Sequence, residues 1–236
     1  MIDNTEELEQ FIDLDDSGVF YKFEAIIRNT DGPNPITILR QKDNLLIKSW
    51  FVDNKTYLNK VLPEMKAICD VTGARLYMTC DRKTIKNLVN TLFTKISDII
   101  KNLLNNTQYS ARTLHHLFNS CTSLVNSSEH SHKTIMFDVD TKDEQIKEAV
   151  VKYIEQNKQT PYVFSSKKGY HVVCFKKFNT INWKEDMAKL ITPSIIQSNE
   201  EWNEGVKHIS IEKVEANISM QDNALLLVYH PEKDWN

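Results

Sequence analysis

Glycine occurs only five times in 236 residues, at positions 18, 32, 73, 169 and 205. A GxxxxGK phosphate loop and a GxGxxG dinucleotide loop each need glycines a few residues apart, so ATP-driven motors and Rossmann dehydrogenases are excluded. With 41% hydrophobic and 26% charged residues the chain can still bury a core, as one domain or two packed modules. The start, Met1 to Glu7, lacks the basic residues and apolar run of a secretory signal, and no stretch reaches transmembrane length. Cys69, Cys80, Cys121 and Cys174 form no CxxC pair, so neither a disulfide framework nor a zinc ribbon is expected. The expectation is a cytoplasmic protein with no membrane partner.

A formal net charge of -3 hides a segregation of sign. Residues 1 to 16 hold seven acids and no base, whereas Arg75 to Lys101 and Pro161 to Lys189 each carry six Lys or Arg against two acids. For nucleic-acid binding the local field matters more than the total, and these two stretches are candidate phosphate-facing surfaces.

Hydrophobic periodicity predicts a helix over Thr5 to Ile12, with Asn4 as N-cap and Glu7 as its capping-box partner. Strands are expected at Val19 to Ile27, Ile36 to Leu39 and Leu45 to Val52, a helix over Lys55 to Asp70, and a strand at Ala74 to Met78. Helices over Lys83 to Leu104 and Thr113 to Val125 precede an Asn/Ser-rich loop, Asn126 to Ser131. That loop divides the chain into an N-terminal helix-strand module, 1–130, and a sheet module, 131–236. The second module reads as strand (Thr134 to Phe137), helix (Lys142 to Gln156), strands (Tyr162 to Phe164 and Tyr170 to Phe175) and helix (Trp183 to Leu190). Strands at Val206 to Ile211 and Ala224 to Tyr229 complete it. The class is α+β, with helices on at least one face of a sheet.

Chemistry is most legible at Ile135-Met136-Phe137-Asp138-Val139-Asp140, an apolar strand running into two carboxylates two positions apart. Alternate residues of a strand share a face, so both carboxylates point the same way. Mg²⁺ and Mn²⁺ prefer oxygen ligands, and paired ions can activate an attacking hydroxyl while clamping phosphates. The same pattern at Ile12-Asp13-Leu14-Asp15 runs instead into Asp16-Ser17-Gly18 and reads as a turn. About 25 residues beyond the first pair lies Ser165-Ser166-Lys167-Lys168-Gly169-Tyr170-His171, whose hydroxyls, ammonium groups, backbone-exposing glycine and imidazole suit a polyphosphate cradle. His115, His116, Cys121, His130 and His132 fit no zinc spacing. Trp50, Tyr77 and Trp183 are candidates for base stacking, though aromatics within apolar runs more often belong to a core.

In these two motifs the chain resembles the archaeo-eukaryotic primase superfamily, whose members show a DxD strand end, then a Ser-x-Arg/Lys-Gly-x-His-type segment, then a third acid. The resemblance implies a primase-polymerase-like core, with an N-terminal helix-strand module and an RNA-recognition-motif-like sheet module. It also implies a template-directed nucleotidyltransferase using Mg²⁺ or Mn²⁺. Asp138 and Asp140 would bind the metals, and Ser166, Lys168 and His171 the triphosphate of a nucleoside triphosphate, with Ser165 and Lys167 as near alternatives. Arg75, Arg82, Lys83 and Lys86 would hold a single-stranded DNA template. A separate helicase or replication partner would supply any unwinding.

The third acid departs from the family pattern, with Glu212, Glu215 and Asp222 as candidates. Glu212 and Glu215 are an odd number of positions apart, so in an unbroken strand only one can face Asp138 and Asp140. Glu215 is preferred, because Glu215-Ala216-Asn217-Ile218-Ser219 lies where the family's third motif is usual. Two rivals stand beside the polymerase reading: a catalytically silent primase-like nucleotide or nucleic-acid binder, and a DxD metal-dependent nuclease or glycosyltransferase.

Overall fold

Alternating side chains along Val19–Ile27 send Val19, Tyr21, Phe23, Ala25 and Ile27 to one face of a long strand, all of them buried. In a computed structural model, which describes residues 1–15, 18–29, 44–105, 130–175, 180–191, 204–222 and 224–231, this strand, β2, is the spine of the first of two antiparallel sheets. The chain begins with β1 (Ile2–Asp3) and α1 (Thr5–Phe11). One edge of β2 pairs with β3 (Leu45–Val52), and the other with β4 (Arg75–Thr79) and β5 (Arg82–Thr84). Between β3 and β4 runs α2 (Lys55–Thr72), whose buried Leu58, Val61, Met65 and Cys69 recur at helical spacing. Asn54 caps its start by accepting from Tyr57 N–H, and Gly73, at φ 69°, supplies the left-handed residue that ends it.

After β5 come α3 (Ile85–Asn105) and β6 (His130–His132), which pairs with β5, and then β7 (Thr134–Val139) begins the second sheet. The rest of the chain is α4 (Glu144–Gln156), β8 (Tyr162–Ser165), β9 (Tyr170–Phe175), α5 (Trp183–Ile191), α6 (Glu204–Asn217), β10 (Ile218–Gln221) and β11 (Leu225–His230). The second sheet has the order β10-β7-β9-β8, all antiparallel. Its strands face two different cores. Ile135, Phe137 and Val139 of β7, with Val172 and Cys174 of β9, pack beneath Val150 of α4, Met187 of α5 and Val214 of α6. Met136, Val173 and Phe164 point the other way, into a core shared with Phe11, Phe23, Met65, Met78 and Leu226.

The α+β class and most of the expected elements are present, with four corrections. Val206 to Ile211 is helical: Val206, Ser210 and Val214 are buried one per turn on α6, a four-residue period that outweighs the β-branched composition. Residues 218–221 form an unexpected strand, contiguous with α6. β11 returns to the first sheet, pairing with β4, so the sheets do not divide at a 130/131 boundary as expected. Asn4 makes no side-chain cap bond to α1. The strand expected at 36–39, the helix at 113–125 and residues 126–129 of the expected loop lie outside the described residues, while 130 and 131, placed in that loop, belong to β6. The described cysteines, Cys69, Cys80 and Cys174, are buried and unpaired. Among the described residues no helix is long and apolar enough to cross a membrane.

Candidate functional site

The register of β7 against its two neighbours assembles the site. Asp138 is the cross-strand partner of His171 on β9 and of Ser219 on β10. Asp140 follows the strand end, where its N–H donates to Asn217 C=O at 2.9 Å. Strand parity puts Met136, Asp138, His171, Ser219 and Gln221 on the face turned away from the helices. Met136, Asp138, His171 and Gln221 open into a cleft of about 800 Å³ that is also lined by Asp140, Ser166, Lys167, Lys168, Arg28, Arg75, Tyr77, Asp222 and Leu227.

The turn between β8 and β9 is tied shut by Ser166, whose N–H donates to Gly169 C=O at 2.9 Å while its hydroxyl accepts Gly169 N–H at 3.0 Å. Gly169 sits against the end of β7. A Cβ there would lie 2.7 Å from Thr141 N and closer still to the carbonyl oxygens of Val139 and Thr141. Only a residue without a side chain lets the lysine-bearing turn lie so close to the two carboxylates. Lys168 Nζ stands 3.9 Å from Asp140 Oδ1, and His171 Nε2 stands 3.5 Å from Asp138 Oδ1.

Burial governs the charges. The His171 imidazole is pushed down to about 4, chiefly by desolvation, with Arg75 adding to the effect and Asp140 opposing it. Near neutral pH it is therefore uncharged, and its approach to Asp138 is a polar contact and no ion pair. Its Nδ1 is buried with no hydrogen-bond partner among the described residues. Asp138 is raised from the usual carboxylate range, first by burial and then by the neighbouring Asp140, with Lys168 opposing. Gln221 Nε2 donates to Asp138 Oδ2 at 3.4 Å.

The expected site residues do not all reach the cleft. Asp138, Asp140, Ser166, Lys167, Lys168, His171 and Arg75 converge on the cleft. Ser165 ends β8 with its backbone held by Asn4 and does not line the cleft. Arg82 and Lys83 are buried rather than facing solvent, with Arg82 Nη1 bonded to Asp13 Oδ2 at 2.6 Å, while Lys86 is exposed on α3. The Asp13-Leu14-Asp15 segment is a turn, with Asp13 Oδ1 accepting Asp15 N–H.

Glu215 requires a correction. It lies on helix α6, paired with Lys184 Nζ at 2.7 Å, and Glu212 on the same helix approaches His208, so the strand-parity argument does not apply. Asp222, just beyond β10, is the candidate acid that lines the cleft. Sequence reasoning missed Arg28 and Gln221, which line the cleft. Arg28 follows β2 without any motif, and the single turn-forming residue where α6 gives way to β10 is Asn217, the last of the helix. Compared with protein-family models, curated proteins and solved structures, the chain matches none.

Proposed function

We propose that the cleft is a nucleotidyl-transfer site of the primase-polymerase kind, joining nucleotides on a single-stranded template. One observation carries the reading: the β7–β9 register and the contact of Gly169 with β7 hold two carboxylates and a basic, hydroxyl-bearing turn together in one cleft. The order β10-β7-β9-β8, with helices on one face, agrees with an RNA-recognition-type sheet.

Two carboxylates at a strand end are hard oxygen donors, and Mg²⁺ or Mn²⁺ commonly takes one or two of them together with substrate phosphates. The donor set therefore fits such ions at Asp138 and Asp140, although no group of three His, Cys, Asp or Glu gathers among the described residues. When bound, the ions would stabilise charge on the phosphates and favour ionisation of the attacking hydroxyl. The chain's own residues orient and neutralise. Lys168, Lys167 and the Ser166 hydroxyl meet the polyphosphate, and neutral His171 offers a hydrogen bond without adding charge. The reaction forms a bond between a 3′-oxygen and the α-phosphorus and breaks the bond to the leaving pyrophosphate, whose charge the lysines offset.

A second reading, a primase-like binder without catalysis, is favoured by the neighbour of Asp138: β10 presents Ser219 and Gln221 there, with no carboxylate on the strand. Incubation with template, primer, labelled nucleotides and Mn²⁺ separates the readings. Extended product that disappears in Asp138→Ala and Asp140→Ala, by at least about a hundredfold (about 2.7 kcal/mol of barrier), supports transfer. Nucleotide binding without extension supports the silent binder, and degraded template supports a nuclease.

A further inference from the structure

Across the cleft from the carboxylates, three side chains of the first sheet form a cluster of which the nucleotidyl-transfer reading uses only Arg75, as an expected template contact. Arg75 and Tyr77 share a face of β4, and the register Ile26↔Arg75 brings Arg28, just past the end of β2, to the same face. Arg28 Nε donates to Tyr77 Oη at 3.2 Å, and Arg75 Nη1 donates to the same oxygen at 3.3 Å. The Arg28 guanidinium also lies over the Tyr77 ring, 4.7 Å from its centroid. Tyr77 thus orients both guanidinium groups, through its hydroxyl and, for Arg28, through its π face as well. All three residues line the cleft, beside the partly exposed Leu225 of β11, which offers apolar surface.

We propose that Arg28 and Arg75, gathered on the Tyr77 hydroxyl, form a second phosphate seat that takes a backbone or terminal phosphate of a nucleic-acid strand, separate from the Ser166–Lys168 cradle. The inference rests on the nucleotidyl-transfer reading for its choice of strand. A guanidinium fork matches phosphate oxygens in geometry and charge, and a pair of forks held side by side suits a single phosphate group. The seat belongs to the first sheet and the cradle to the second, so one cleft presents two cationic walls with the carboxylates on one of them. Its volume, about 800 Å³, lies toward the upper end of the small-ligand range of about 300–1,000 Å³. That leaves room for a strand end beside a nucleotide.

The test uses the intact chain. Fluorescein-labelled oligodeoxythymidylates bearing a 5′-hydroxyl or a 5′-phosphate are titrated by anisotropy over a salt series, and a deoxynucleoside triphosphate with Mn²⁺ is titrated by calorimetry. In the Arg28→Gln/Arg75→Gln double variant, oligonucleotide affinity should fall about tenfold or more at about 100 mM salt, with a salt slope shallower by about 0.7 for each phosphate no longer neutralised. Triphosphate affinity should stay within about twofold. A similar loss for both oligonucleotides assigns an internal phosphodiester, and a loss confined to the 5′-phosphate form assigns a terminal one. Unchanged oligonucleotide affinity and slope overturn the seat while leaving the nucleotide site intact. An equal loss of triphosphate affinity also overturns it, by moving the pair into the nucleotide site. A parent protein that binds triphosphate but no oligonucleotide overturns the seat alone, and one that binds neither overturns both readings. Should the double variant fail to fold, Tyr77→Phe keeps the ring and removes the gathering hydroxyl. It should lose about threefold or more in oligonucleotide affinity, and no loss there overturns the seat.

Discussion

Gly169 shows how one residue sets the geometry of a site. Its hydrogen stands where a methyl would press on the backbone of Val139 and Thr141, and backbone atoms give way less readily than the end of a flexible side chain. Gly169→Ala should therefore push the turn away from β7, lowering stability by about 1–3 kcal/mol, the usual cost of overpacking. It should also weaken nucleotide binding by more than Lys167→Ala does, because it displaces the whole turn. Urea unfolding together with nucleotide titration checks both effects, and a variant that binds and unfolds like the parent would show that the close approach is unimportant.

Element placement decides which basic residues reach solvent. β5 continues β4 along β2, but the register shifts across Cys80 and Asp81, where Phe23↔Met78 gives way to Phe20↔Lys83. Asp81 accepts both the N–H and the hydroxyl of Thr134, tying the start of β7 to this step. Arg82 and Lys83 are thereby drawn inside, Arg82 onto Asp13 and Lys83 near the buried Lys22, which pairs with Glu24 at 2.6 Å. Burial pushes the Lys83 ammonium down to about 8, with Lys22 adding to the shift and Asp81 opposing it. Between that value and the ordinary lysine range near 10.5, the unfolded chain holds a proton that the folded chain has released, so this group makes stability rise with pH across that window. The contribution is at most about 1.4 kcal/mol per pH unit. Lys83→Met should remove it, which denaturant unfolding of parent and variant at several pH values from about 7.5 to 10 would reveal as a difference in slope. Identical slopes would count against the buried ammonium.

At the scale of the whole molecule, Asn4 joins the two sheets. It is almost fully buried; its Nδ2 donates to Ser165 C=O at 2.9 Å and Leu227 C=O at 2.8 Å, and its Oδ1 accepts Ser165 N–H at 2.9 Å. Its own N–H donates to Val228 C=O. The end of β8, which leads directly into the lysine-bearing turn, is thus fixed to β11, whose Leu225 and Leu227 line the cleft. Asn4→Ala would leave these backbone groups unpaired, costing roughly 1–3 kcal/mol for each group that water does not reach. A drop in thermal stability beyond the effect of removing an exposed asparagine, accompanied by weaker nucleotide binding, is the expected result. Full stability in Asn4→Ala would mean that the clasp contributes nothing.

What the sequence determined by itself was local. The apolar run ending at Asp138 identified β7, strand parity put Asp138 and Asp140 on one face, and the polar segment from Ser165 to His171 marked a turn between two strands. Each of these depends only on neighbours in the chain. The helix at 204–217 was misread because Val and Ile fit either state, and burial of one residue per turn, with packing chiefly against α5, settles it. Glu215 was assigned to a strand for the same reason. Tertiary structure alone decided which strand lies beside Asp138, where β11 returns, and that Asn4 serves as a clasp where a helix cap was expected. It alone gathered Arg28 and Arg75 on Tyr77, because cross-strand pairing joins residues far apart in the chain and nothing in local composition records the partner.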